Sequence, residues 1–383
     1  MRIVHVSLDP GVPVFGGKGC SVHVQEVLRV FVAAGHDVHV VTTRPGGAAP
    51  AGLEGVRVHH VELPAGRSRR EREADLAVAD VRAGTLVAEL LEGGQALVYE
   101  RYALFACAVQ EVARRAGVPA VLEVNAPLPL EQAAHRGLHD VAGADERTRR
   151  AFAAAGRVVA VSSPVAHWVR RVEPAADVVV VPNGVDTTRF APVPRPVDGV
   201  VRLAFVGAFR PWHGVDLLVE AAGRLTGLPG PDVELLLVGD GPGRPAALQR
   251  AAELGIRCTA PGTVDPAEVP AFLARADVAV APYPAAGGYF SPLKVAEYLA
   301  CGVATVAAAV GDLAVTYADG REFLLVPPGD VEALTAALQL LRTDPDLRGD
   351  LAVAGRRAVA ARGTWRHVVA RSVEGLGAPV VAA

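Results

Sequence analysis

Apolar residues fall in short continuous runs that alternate with longer amphipathic stretches, the pattern of a parallel sheet covered by helices. Residues 2–8 read as a buried strand, 9–20 as a loop, and 21–34 as a helix with Val22, Leu28, Phe31 and Val32 on one face. Strands follow at 37–43 and 56–63, then a charged run at 67–73 that leads into a helix ending near Glu92. A solvated helix start explains that run, with a membrane-surface or acceptor-phosphate patch as the alternative. Residues 96–100 and 120–124 read as strands around a helix, 130–155 as a helix broken near Gly143, and 157–162 and 177–181 as two further strands. Residues 182–198 hold four prolines and no period, which places a linker there. Alternation then restarts. Strands are expected at 201–206, 233–238, near Ile256, at 278–282, 303–308 and 323–326. Helices are expected at 215–225, 244–254 and 267–274, from Ser291, and at the end of the chain. Two doubly wound α/β units follow from this order. Ligands of such sheets bind at the carboxyl ends of the strands, and two facing units would place the site in the cleft between them.

Length agrees with that division, since 383 residues exceed what one core usually organises. The net charge of −3 gives no basic field for nucleic acid. The opening MRIVHVSL reads as a strand and not as a leader, and no run of about 18 uncharged apolar residues would cross a membrane. Cys20, Cys107, Cys258 and Cys301 lie far apart without metal spacing, which fits thiols in a reducing cytoplasm. His59, His60, His135 and His139 likewise make no convincing metal set, so no metal site is expected.

Composition changes the picture at one point. Among 38 basic Lys and Arg residues only Lys18 and Lys294 are lysine, and each stands at a Gly- or Pro-bounded loop-to-helix junction. Lysine is a compact point charge suited to phosphate. Lys294 lies in YFSPLKVAEYLACG, residues 289–302, where Ser291 is a good N-cap and Pro292 suits the first helical position. The start of that helix would favour a phosphate. Glu297, about 9 Å along the axis, would reach past a diphosphate to ribose-like hydroxyls. A capped helix with a local Lys–Glu pair accounts equally well for these residues taken alone.

The ordered set GG loop, PNGVD, FVGAFRPWHGVDLLVEA, VGDGPG, SPLKVAEYLACG and TWRHV resembles family 4 glycosyltransferases over nearly the whole chain. The resemblance implies the GT-B fold, two Rossmann-like doubly wound domains facing across a cleft. Residues 1–183 would form the acceptor-side domain and 184–363 the nucleotide-sugar domain, with a helix at about 364–383 packing back onto the first. It further implies retention at the anomeric carbon, no cofactor and no required metal, with the nucleotide sugar, a UDP- or GDP-sugar, as co-substrate. The acceptor would be a small molecule, a glycan or a lipid-linked sugar. The cell compartment would be the cytoplasm, free or peripheral to a membrane.

By the same resemblance Glu297 matches the second acid of an E-x7-E motif that binds ribose, and Ser291, Pro292 and Leu293 match the helix start at the diphosphate. Tyr289 and Phe290 precede it, on the donor side. Gly16 and Gly17, with Lys18, match the glycine loop that approaches the phosphate, where a Cβ would block the approach. Gly207, Arg210 and His213 lie in the segment that supplies cations to the diphosphate, and Val264 falls where the family packs against the base. Lys294, Arg210 and Glu297 are thus the candidate catalytic residues, and Glu123 and Asn125 the acceptor-side candidates.

The chain departs from the family pattern at four places. Tyr289 replaces the first acid of E-x7-E, Ala208 the usual Arg, His213 the usual Lys, and Asn125 a frequent His. A nucleotide-sugar epimerase and a noncatalytic nucleotide-sugar-binding subunit are the rival readings. A dinucleotide oxidoreductase is disfavoured because no G-x-G-x-x-G follows the first strand. Trp212 and Trp365 are expected to pack, His23 to be a satisfied half-buried histidine, and Asp240 to cap a turn.

Overall fold

A computed structural model describes residues 1–194, 198–284 and 293–378. Tyr289, Phe290, Ser291 and Pro292 therefore lie outside the described residues. The chain forms two compact units, Met1–Asn183 with the C-terminal segment from Trp365, and Gly184–Thr364.

The first unit holds strands β1 (Arg2–Ser7), β2 (Asp37–Thr42), β3 (Arg57–His60), β4 (Ala96–Arg101), β5 (Ala120–Val124), β6 (Arg157–Ala160) and β7 (Val178–Val180). Its helices are α1 (Gly19–Ala33), α2 (Arg69–Leu90), α3 (Ala108–Ala116), α4 (Leu128–His135), α5 (Val141–Ala154) and α6 (Ser163–Val172). The strands run parallel in the order β3-β2-β1-β4-β5-β6-β7. Central β1 sets Ile3 between Val38 and Leu97. Both faces of such a strand are covered, which is why it reads as an unbroken apolar run.

The second unit repeats the plan with β8 (Val200–Val206), β9 (Asp232–Val238), β10 (Arg257–Gly262), β11 (Val278–Ala281), β12 (Ala304–Ala308) and β13 (Leu324–Val326). These are also parallel, in the order β10-β9-β8-β11-β12-β13. Its helices are α7 (Val215–Leu225), α8 (Arg244–Glu253), α9 (Val269–Leu273), α10 (Leu293–Ala300), α11 (Leu313–Thr316), α12 (Val331–Thr343) and α13 (Pro345–Arg362). The last helix, α14 (Trp365–Val373), packs on α1 and β6 of the first unit. In each sheet the strand order reverses once, between β1 and β4 and between β8 and β11. The crevice for ligands in sheets of this type opens at those reversals.

Two expectations need correction. The break in the long helix falls at 136–140, between α4 and α5, and not near Gly143. Asp140 caps α5 by accepting the Gly143 amide at 2.9 Å, so that glycine belongs to a helix start. The strand expected near Ile256 is the six-residue β10, with a register irregularity against β9 between Thr259 and Gly262. The proline-rich stretch, where a linker is expected, is anchored over its first half. Phe190 is buried, and Arg356 donates to the carbonyls of Phe190 at 2.9 Å and Thr187 at 3.0 Å.

Helix α10 shows how sequence sets an element here. Val295, Ala296, Tyr298, Leu299 and Ala300 are buried, and each such side chain contributes up to about 3 kcal/mol. The chain then turns through Gly302, whose amide bonds Leu299 while that of Val303 bonds Tyr298. That paired closure stops the helix and aims the chain into β12.

Candidate functional site

In the second unit the loops after β8, β9 and β11 meet at the strand reversal. Their contact is backbone to backbone. A Cβ on Gly239 would lie 2.1 Å from the Gly207 carbonyl, and one on Gly214, at φ +65°, 1.9 Å from the Pro282 carbonyl. The Phe209 amide donates to Asp240 at 3.0 Å, which ties the first two loops together. Asp240 also accepts the Gly241 amide at 2.8 Å.

Helix α10 is pinned to this corner by Tyr298, whose hydroxyl accepts the Val206 amide at 2.9 Å. Lys294, one turn earlier on the same face, reaches the same strand end. Its Nζ lies 4.3 Å from the Phe205 ring centre and 5.4 Å from that of Tyr283. The ammonium is buried and has no hydrogen-bond partner among the described residues. A Cβ at position 207 would stand 3.0 Å from it, so glycine leaves the charge its room. Burial pulls the Lys294 pKa down to about 7, against the opposing pull of Glu297, which lies half-buried on the next turn.

His213 turns inward. Its Nδ1 bonds the Ala208 carbonyl, and its ring borders Phe205 at 6.0 Å and Tyr283 at 6.2 Å. Burial, then the charge on Lys294, bring its pKa down to about 4. The ring is therefore neutral near pH 7, whereas the sequence placed a cation-supplying residue here. Arg210 is exposed, with its guanidinium 5.9 Å from the Trp212 ring. Trp212 is 56 % exposed and does not pack as expected, because the 3-10 turn Pro211–His213 carries it outward. Val264 lies just beyond β10, half-buried against the core of the unit. Leu293 opens α10 beside Lys294.

In the first unit, Gly16 and Gly17 follow β1 in a loop held by Gln25, whose side-chain amide donates to the Val14 carbonyl at 2.8 Å and the Gly16 carbonyl at 2.9 Å. Lys18 is exposed, its Nζ 3.4 Å from the Gly11 carbonyl. Glu123, at the end of β5, is only 2 % exposed. Its Oε2 meets His23 Nε2 and the Tyr99 hydroxyl, both at 2.9 Å. Its Oε1 accepts from Arg101 at 3.2 Å and from Asn125 Nδ2 at 2.6 Å. Four donors fill the four lone-pair positions of one carboxylate. Burial pushes its pKa up, but His23 and then Arg101 outweigh it and hold the carboxyl well below its usual range. His23 is buried and paired, and the Trp365 ring stands edge-on to it at 4.7 Å. An acceptor contact at Glu123 would require displacing one of these bonds, whereas half-buried Asn125 has a free carbonyl end among the described residues.

The structure thus gathers Gly207, His213 and Lys294 in one corner, and Glu123 with Asn125 in another. It adds Phe205, Tyr283 and Tyr298 to the first set, and His23, Tyr99 and Arg101 to the second. Tyr283 in the first set and His23, Tyr99 and Arg101 in the second are distant in sequence from the residues they meet, whereas Phe205 and Tyr298 are near neighbours of Gly207 and Lys294. Among the described residues no group of three or more His, Cys, Asp or Glu side chains is placed to hold a metal ion. No described helix is long and apolar enough to cross a membrane.

A family model described as Glycosyltransferase Family 4 matches residues 17–189, and one described as Glycosyl transferases group 1 matches residues 201–344. A D-inositol 3-phosphate glycosyltransferase of Xylanimonas cellulosilytica is 31 % identical over 98 % of this chain and 95 % of its own length. An alpha-maltose-1-phosphate synthase of Mycolicibacterium smegmatis is 34 % identical over 67 % of this chain and 72 % of its own. Among solved structures, the sucrose-phosphate synthase of Thermosynechococcus elongatus superposes with a TM-score of 0.71 at 23 % identity, covering 97 % of this chain and 96 % of that one. Anabaena HepE in complex with UDP and glucose does so with a TM-score of 0.69 at 18 % identity, covering 98 % and 100 %. These likenesses give the fold, the GT-B type with two parallel-sheet units, and the named relatives offer no support for an epimerase. With both units matched and a relative aligned almost end to end, the chain belongs to glycosyltransferase family 4 and is a glycosyltransferase.

Proposed function

We propose that the protein moves a glycosyl group from a nucleoside-diphosphate sugar to an acceptor hydroxyl, with retention at the anomeric carbon and with side-chain cations, not a divalent metal, neutralising the diphosphate. One observation carries this reading: the buried ammonium of Lys294, with no hydrogen-bond partner among the described residues, beside the bare backbone of Gly207 at the strand reversal. An uncompensated buried charge is costly, so a fold that keeps one calls for an anion as its partner. A diphosphate lying against the Gly207 loop and the start of α10 would supply it. Arg210 adds a second positive charge from the exposed side of that loop, and Glu297 would accept from the ribose hydroxyls. UDP and UDP-glucose are bound by HepE, which makes a uridine donor the first to test; a GDP-mannose-dependent mannosyltransferase of Mycolicibacterium smegmatis, 32 % identical over 52 % of this chain, makes GDP-mannose the second.

The difficult event is departure of the diphosphate. As the C1–O bond to phosphate breaks, its electron pair passes to the leaving oxygen, and donors aimed there lower the barrier. Lys294 can present N–H donors to that oxygen. The acceptor oxygen forms the new bond to C1 from the same face, and its proton goes to a phosphate oxygen. Asn125, at the end of β5, serves the acceptor side.

The test measures nucleoside diphosphate released from UDP-glucose or GDP-mannose, with and without an acceptor panel led by D-inositol 3-phosphate. Release that rises with acceptor supports transfer. Binding without any turnover across the panel supports the noncatalytic reading instead. Lys294→Ala should lower turnover by about 10²–10³, the usual cost of one such donor. Glu297→Ala should chiefly weaken nucleotide binding. Full activity in both variants would remove the assignment.

A further inference from the structure

The sequence puts His213 where the family carries a lysine, and a cation at the diphosphate is the obvious duty to give it. The geometry points elsewhere. A backbone carbonyl can only accept, so the bond to Ala208 places the proton of the neutral ring on Nδ1. The other nitrogen, Nε2, then carries a lone pair and no proton. Lys294 and Arg210 both lie close enough to disfavour a second proton, and burial adds to that. The ring does not swing freely. Phe205 and Tyr283 flank it, Trp212 lies 6.2 Å away, and the left-handed Gly214 that follows is pressed against Pro282.

A fixed lone pair is a poor neighbour for phosphate oxygens, which only accept when ionised. It suits a hydroxyl. Lys294 borders the same two rings, Phe205 and Tyr283, and as an ammonium only donates. An ammonium that donates and a nitrogen that accepts, both bordering these rings, match a group that does both, and a sugar hydroxyl is such a group. Resting on the nucleotide-sugar reading above, we propose that His213 is a specificity-determining residue that accepts a hydrogen bond from a hydroxyl of the donor, on the transferred sugar or the 2′-hydroxyl of the ribose, and makes no charge contact with the diphosphate.

The test is calorimetric binding to the full chain of UDP, 2′-deoxy-UDP and UDP-glucose, with GDP, 2′-deoxy-GDP and GDP-mannose in parallel. The set that the wild type binds is the one compared. His213→Ala should weaken the sugar nucleotide by up to about tenfold, the range of one hydrogen bond. If the free diphosphate is left unchanged, the hydroxyl is on the transferred sugar. If diphosphate and sugar nucleotide weaken alike while the 2′-deoxy form is spared, the hydroxyl is on the ribose. His213→Gln, whose amide oxygen can accept at the Nε2 position, should restore most of the loss, a recovery that a purely structural role would not give. Thermal melts of each variant separate misfolding from lost contact. Equal weakening of all three ligands, or no change for any, would overturn the proposal. A wild type that binds neither set would remove the donor reading itself, a different failure.

Discussion

The two units share a strand order, yet they treat a buried ionisable side chain at a strand end in opposite ways. Glu123, in the first unit, is surrounded by four donors and lacks nothing. Lys294, in the second, is enclosed by aromatic rings and has no hydrogen-bond acceptor among the described residues. A saturated charge is architecture, since its interactions are complete before any ligand arrives. An unsatisfied one is held ready, and the fold is less stable for it. The contrast distinguishes a framework residue from a ligand-binding one without knowledge of the ligand.

The strongest way to break the comparison is to delete the saturated partner. Glu123→Ala leaves His23, Tyr99, Arg101 and Asn125 facing an empty centre, and should cost about 3–5 kcal/mol in denaturant unfolding. The pH dependence has a defined sign. The folded carboxyl titrates below its unfolded value near 4.5, so its contribution is complete above that value and is lost as pH falls below it. His5, held neutral with its pKa brought down to about 4 by burial, acts in the same direction between about 4 and 6.5. The acid limb of the unfolding profile should therefore be shallower in Glu123→Ala than in the wild type. A loss under 1 kcal/mol would show that the four bonds are not the framework claimed.

Next in size is the loop contact that shapes the second corner. Gly214→Ala drives a methyl group into the Pro282 carbonyl from a left-handed backbone and should cost about 2–3 kcal/mol. Donor binding should weaken with it, since His213 and Lys294 both border that loop. A variant as stable as the wild type would mean that the loops are not held by this approach.

The smallest expected change in stability has the opposite sign. Lys294→Met replaces a charge that has no hydrogen-bond partner among the described residues with an apolar chain of similar length, and should raise the unfolding free energy at pH 7 by about 1 kcal/mol. Lys294 has a folded pKa near 7, below its unfolded value of 10.5, so the unfolded chain binds more protons between them. Wild-type stability should therefore rise with pH across that window, and the rise should be missing in the methionine variant. A variant that is less stable than the wild type at pH 7 would show that Lys294 is already paired.

Much of this was legible beforehand, for identifiable reasons. Buried parallel strands such as 2–8 and 278–282 announce themselves as apolar runs, because both faces are covered. Lys294 stood out because the chain uses arginine nearly everywhere else. The break between α4 and α5 was misplaced because Gly143 looked like a breaker, while the Asp140 cap three residues earlier set the helix start. Glu123 could be placed at a strand end, but its partners come from α1, β4 and the loop after β5, and no spacing rule links them. The charge state of His213 was hidden for a similar reason. An imidazole in a sequence has no tautomer until a carbonyl is folded against it.

The most direct test of the account compares nucleoside diphosphate binding to the wild type and to Lys294→Met by thermal unfolding. UDP or GDP at about 100 times its Kd should stabilise the wild type by about 2.7 kcal/mol, and should leave the methionine variant, folded and at least as stable without ligand, almost unmoved. An equal stabilisation of both proteins would contradict the claim that the Lys294 ammonium is kept for the diphosphate.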